Sequence, residues 1–144
     1  MTVAAILKHK GFQIVAVDPT ATIAHVTEVL AERRIGAVLV LDRAEQLLGI
    51  VSERDIVLSL ASNGARTLEM TAGQLMTRAL QIAHPGMSET EVMTMMTASR
   101  FRHLPVMDHG VLVGLISIGD VVKARIMQQE TEVDSLRAYV AGAA

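Results

Sequence analysis

The sequence predicts an α/β fold built from two pseudo-twofold related β-α-β-β-α repeats packed face to face, with a C-terminal helical extension. Three observations predict it. The 144-residue chain repeats itself, with Val17-Asp18-Pro19 returning as Ala83-His84-Pro85 and the likeness continuing beyond each proline. Short apolar runs of strand length alternate with segments whose apolar residues fall at helical spacing. The composition is 51% hydrophobic but only 2% aromatic, with nine Met, so the core must be aliphatic.

The elements follow in order. Val3 to Leu7 is a short helical stretch, and an opening strand leads to Val17-Asp18-Pro19. After a turn at Thr20 to Thr22, Ile23, Val26 and Leu30 mark a helix face. Ala37-Val38-Leu39-Val40-Leu41 is a buried strand closed by Asp42, and Leu48-Gly49-Ile50-Val51-Ser52 is its hairpin partner, running into a helix over Glu53 to Ala61. The second copy has the same parts: a helical stretch at Ala72 to Met76, an opening strand, and a turn at Gly86 to Ser88. Its first helix carries Val92, Met95 and Met96, with Phe101 just past the end. The strands Leu104-Pro105-Val106-Met107 and Val113-Gly114-Leu115-Ile116-Ser117 follow, then a helix from Ile118 through Val122 and Ile126. Relative to the first copy, the hairpin register slips by one residue, which loop variation tolerates. The division is residues 1–62 for repeat one, 63–71 as linker, 72–127 for repeat two and 128–144 as a helical tail. Two copies of about 60 residues are each marginal alone, so they are expected to fold as a pair with a cleft between them, a common place for small ligands.

Composition excludes several function classes. No cysteine is present, which removes disulfides, thiolate metal sites and cysteine nucleophiles. A net charge of −2 with interspersed signs gives no stripe for nucleic acid or an anionic membrane. No run is long enough to span a bilayer and no signal peptide opens the chain, so the expected location is cytoplasmic.

The most informative residues are Gly49-Ile50-Val51-Ser52-Glu53-Arg54-Asp55 and Gly114-Leu115-Ile116-Ser117-Ile118-Gly119-Asp120. Both read G-h-h-S-x-x-D. With the strands at Arg34-Ile35-Gly36-Ala37 and Arg102-His103-Leu104-Pro105-Val106, this doubled pattern resembles the tandem CBS-domain family, the Bateman module, over nearly the whole span from Val3 to Arg125. The resemblance implies a stand-alone, non-enzymatic regulatory pair that binds an adenosine-containing nucleotide: AMP, ATP, NAD(H) or S-adenosylmethionine.

The motif's chemistry suits that ligand class. An ionised carboxylate offers two acceptor oxygens to the two hydroxyls of a ribose, a role open to Asp55 and Asp120. Ser52 and Ser117 stand at helix starts, where backbone N–H groups and the helix dipole favour phosphate oxygens. The resemblance implies composite sites. In one, adenine lies near Val15, Gly36 and Ala37, partnered by Ser117 and Asp120. In the other it lies near Gln81, Arg102 and His103, partnered by Ser52 and Asp55. Candidate phosphate cations are Arg54, Arg102 and His103, then Lys10 and Lys123. Arg54 has Gly119 as its counterpart, while Arg102 and His103 have Gly36 and Ala37, so the two sites are expected to differ in phosphate preference.

Simpler structural readings stand beside these. Ser-x-x-Asp at a helix start is also a capping box, worth about 1 kcal/mol, and the two roles can coexist. Met93, Met95 and Met96 read as core rather than a soft-metal surface. His9, His25, His84 and His109 read as solvated or turn residues without metal-site spacing, His103 is open between phosphate contact and structure, and Arg33-Arg34 reads as a solvated helix end. Neither Ser has a histidine base nearby, no catalytic set emerges, and the P-loop pattern is missing.

In the tail, Val122, Ile126, Val133, Leu136 and Val140 form an apolar seam in steps of three and four, with Gln129 as a polar slot. It has no core of its own repeat left to cover, which predicts a homodimer; the segment Ala141 to Ala144 is expected to fray. A regulated partner protein is also implied, and an adaptor dimer with vestigial nucleotide sites is the alternative function.

Overall fold

The apolar run Ala37–Leu41 forms strand β2, the middle of a three-stranded sheet. β1 (Ala16–Val17) lies parallel to it, with Ala16 opposite Leu39, and β3 (Leu47–Ser52) lies antiparallel, with Ala37 opposite Ser52. The computed structural model describes residues 1–143, which divide in space into two units. This sheet belongs to the unit Gln13–Leu80; the other unit joins Met1–Phe12 to the chain from Gln81 onward.

In the Gln13–Leu80 unit, α2 (Ile23–Arg33) starts at Thr22, whose hydroxyl accepts the His25 N–H, and ends at Arg34 in the left-handed region. Its predicted inner face is buried: Ile23, Val26 and Leu30 pack with Val38, Val40, Val51 and Ile56. α3 (Glu53–Asn63) continues directly from β3. The expected linker is packed structure, with a 3-10 helix at Gly64–Glu69 whose Thr67 is 0% exposed and bonds Ser59, Oγ to Oγ1, at 2.8 Å. A short helix α4 (Ala72–Leu75) then lies against the sheet, and Thr77 exchanges both backbone hydrogen bonds with Ile50. That approach explains Gly49: a Cβ there would sit 2.7 Å from the Thr77 carbonyl oxygen.

The other unit repeats the plan with one loss. α1 (Val3–Lys10), α5 (Glu89–Ser99) and α6 (Ile118–Ala143) surround the hairpin of β4 (His103–Asp108) and β5 (Val111–Ser117). Its core joins Val3, Ile6 and Leu7 to Val92, Met96, Leu104, Val106, Ile116 and Val121, with the half-buried Met93 and Met95 packed against it. The expected opening strand is reduced to a single bridge between Ala83 and Val106. The reason is Pro105. In the first copy the Leu39 N–H donates to the Val15 carbonyl, extending the ladder; Pro105 occupies the corresponding place and has no N–H to give. Gly114 admits Leu7 of α1, whose Cδ2 would lie 2.8 Å from an added Cβ.

Both hairpins carry a register shift at the same point, Val40/Leu41 and Val106/Met107. The 26-residue α6 is unbroken across the boundary drawn at residue 128. Ala141 to Ala143, expected to fray, are helical; Ala144 lies outside the described residues.

Candidate functional site

Each G-h-h-S-x-x-D motif turns a strand end into a helix start, and the backbone ties it to the opening of the neighbouring strand. The Glu53 N–H donates to the Gly36 carbonyl at 2.9 Å, and the Ile118 N–H donates to the Arg102 carbonyl at 2.8 Å. Ala37 stands opposite Ser52, and His103 stands opposite Ser117. Hydrogen bonds thus gather Val15, Gly36, Ala37, Ser52 and Asp55 at one end of the first sheet. Arg102, His103, Ser117 and Asp120 gather likewise in the other unit, with Gln81 two positions before the bridging Ala83. These groupings fall within a repeat, whereas the resemblance led to sets drawn across the repeats. Arg54 is exposed on α3.

The capping role is complete in both copies. The Ser52 hydroxyl accepts the Asp55 N–H at 3.2 Å, and Asp55 Oδ2 accepts both the Ser52 N–H (2.9 Å) and its hydroxyl (3.0 Å). Oδ1 of Asp55 accepts from the Thr77 hydroxyl at 3.3 Å. In the second copy the Asp120 N–H donates to the Ser117 hydroxyl at 3.1 Å, and Asp120 Oδ2 accepts the Ser117 N–H at 2.8 Å. The first and third N–H groups of each helix therefore have acceptors within the chain. A phosphate oxygen finds fewer backbone donors there than a bare helix start would offer.

The two carboxylates differ in their long-range partners. Lys10, at the end of α1, places Nζ 2.6 Å from Asp120 Oδ2 and 2.7 Å from the Leu115 carbonyl. Burial works against the charge on Asp120, but the Lys10 ammonium and the Ser117 N–H outweigh it and hold the carboxyl below its ordinary range. Asp120 Oδ2 thus takes both the Lys10 ammonium and the Ser117 N–H.

Beside Asp120 lies a groove of about 220 Å³ in which His9, Lys10 and Lys123 converge, floored by Ile6, Ala124 and Met127. Its volume is below the roughly 300 Å³ lower bound of whole-ligand pockets, enough for part of a ligand such as a phosphate. Sequence reasoning placed His9 among solvated histidines; it lines this groove. It also missed Thr77 as the partner of Asp55, and it named Lys10 only as a phosphate cation. Neither pairing has a local signal, since the partners stand 22 and 110 positions apart. Among the described residues no cluster of three His, Cys, Asp or Glu side chains could hold a metal, and no helix is long and apolar enough to cross a membrane.

The family model of the CBS domain matches this chain twice, over residues 4–62 and 72–126. The chain belongs to the CBS-domain family. The crystal structure of the CBS-domain containing protein ATU1752 from Agrobacterium tumefaciens is 40% identical, with a TM-score of 0.84 covering 86% of this chain and 92% of that one. The CBS domain protein PAE2072 from Pyrobaculum aerophilum, solved complexed with AMP, is 26% identical, with a TM-score of 0.73 over 83% of this chain and 89% of that one. Among curated relatives, the mitochondrial CBS domain-containing protein CBSX3 of Arabidopsis thaliana is 30% identical over 125 residues, 84% of this chain and 61% of that protein. The chain thus spans less than two thirds of that relative's length. As a CBS pair, it has a mixed α/β fold with two sheets and a long final helix, in line with the sequence expectation.

Proposed function

We propose that this CBS pair is a regulatory, non-catalytic module that binds an adenosine-containing nucleotide and passes the bound state to a partner protein through a conformational change. The observation that carries the reading is Asp120, a carboxylate kept ionised by Lys10 and Ser117 at the edge of the groove. Such a group accepts from a ribose diol, while Lys10, Lys123 and His9 in the adjoining groove suit a phosphate. The AMP complex of the Pyrobaculum relative supports an adenine nucleotide as the ligand class. Asp55, with both oxygens already engaged, marks the weaker site. A cytoplasmic homodimer is the proposed working form.

Calorimetric titration with AMP, ATP, NAD, NADH and S-adenosylmethionine tests this. Asp120→Ala is expected to weaken the best ligand at least tenfold and Asp55→Ala less. Equal affinity in wild type and the double variant would overturn the site assignment. The second reading, an adaptor dimer with vestigial sites, is favoured by the completeness of the two caps, in which Ser52, Asp55, Ser117 and Asp120 all have intrachain partners. Under it, none of the five ligands raises the melting temperature.

A further inference from the structure

The distal part of α6 buries none of its described residues: every one from Gln129 to Gly142 is exposed. A helical segment with no packed face has little to hold it in place, because most helical stability in proteins comes from burying an apolar stripe. The stripe is present. Ile126, Val133, Leu136 and Val140 are 50, 47, 63 and 61% exposed, and with Gln129 they follow one another in alternating steps of three and four. In heptad terms the first positions, a, are Ile126, Val133 and Val140, all β-branched, and the fourth positions, d, are Gln129 and Leu136. Among parallel coiled coils, β-branched residues at a with Leu at d favour two strands.

Charge favours the parallel orientation. In a parallel pair each g residue faces the e residue of the next heptad on the other helix. Here that matches Arg125 with Glu130, and Glu132 with Arg137, four attractive pairs when both copies are counted. An antiparallel pair that aligns Val133 with Leu136 would bring together Glu130 and Arg137 but leave Glu132 facing Tyr139, so it has fewer. Within its own chain Arg125 makes a loose contact, 3.8 Å from Glu89 Oε1.

We propose that α6 from Ile126 to Val140 forms a parallel, in-register two-stranded coiled coil with a second copy of this chain. The proposal rests on the homodimer reading above and adds to it the direction and the register of the seam. Gln129 meets its counterpart across the axis, where the two amides can bond each other and penalise a shifted register.

Sedimentation equilibrium and thiol cross-linking on the full chain test it. Because the chain has no cysteine, Gln129→Cys introduces a single thiol. With an added oxidant this variant is expected to link into a dimer, while Thr131→Cys, on the outer face, is not. Leu136→Asp, a change at an exposed position, is expected to raise the dimer dissociation constant at least tenfold, with no loss of helical dichroism beyond what the tail itself supplies. Glu132→Arg is expected to raise it about fivefold, and adding Arg137→Glu to restore it. A wild-type chain monomeric at tens of micromolar would sink both this proposal and the homodimer reading. A dimer that withstands Leu136→Asp, or that does not link through position 129, would sink the coiled coil alone.

Discussion

Lys10 and Asp120 stand 110 positions apart in the chain and 2.6 Å apart in space. The ion pair anchors the end of α1 to the start of α6 and sets the charge state of the carboxylate at the proposed site. Its acid dependence has a definite sign. A carboxyl held below the ordinary value of 3.8 adds stability at pH above that value, and the increment fades as pH falls through the lowered value.

Lys10→Met should therefore cost about 0.5–1 kcal/mol at pH 7, the range for a partly exposed pair after solvent screening. The variant should lose less stability than wild type on acidification below the ordinary carboxylate value. Urea unfolding at pH 7 and at successively lower pH measures both effects; equal acid sensitivity in the two proteins would show that the pair contributes nothing.

Gly49→Ala should be more damaging than Gly114→Ala. The added methyl at position 49 meets the backbone oxygen of Thr77 at 2.7 Å, whereas at position 114 it meets the tip of the Leu7 side chain, which can turn aside. About 2–3 kcal/mol against about 1 kcal/mol is expected from the usual cost of overpacking. Denaturant midpoints rank the two, and the reverse order would contradict the contacts described.

Ser52→Ala removes a hydroxyl that both accepts the Asp55 N–H and donates to its carboxylate. The expected loss is about 1 kcal/mol in unfolding free energy, the usual worth of a cap. Any nucleotide effect should be judged only after that loss is accounted for by comparing melting temperatures with and without ligand.

Thr77→Val should be mild. The Thr77 hydroxyl reaches Asp55 Oδ1 at 3.3 Å, a long bond, while Oδ2 keeps both contacts from Ser52. Less than about 1 kcal/mol is expected from thermal unfolding, below the typical net value of a buried hydrogen bond. A loss above 2 kcal/mol would mean that Thr77 supports the motif more strongly than its geometry indicates.

Much of this protein was legible without coordinates because its signals are local. Each copy of the motif, the strands at Ala37–Leu41 and His103–Asp108, the inner face of α2 and the Ser-x-x-Asp caps all depend on residues within seven positions of one another. The bare seam on α6 was visible in the same way, through its spacing. The missing second opening strand was hidden by Pro105, which reads as part of an apolar run; its lack of an N–H matters only once a neighbouring strand lies beside it. Tertiary structure alone decided that Lys10 pairs with Asp120 while Thr77 attends Asp55, and that Thr67 is buried in what reads as a linker. The physical reason is that a side chain's partner across a long loop is set by how whole elements pack, and no pattern of neighbours along the chain encodes which polar atoms that packing brings within hydrogen-bond reach.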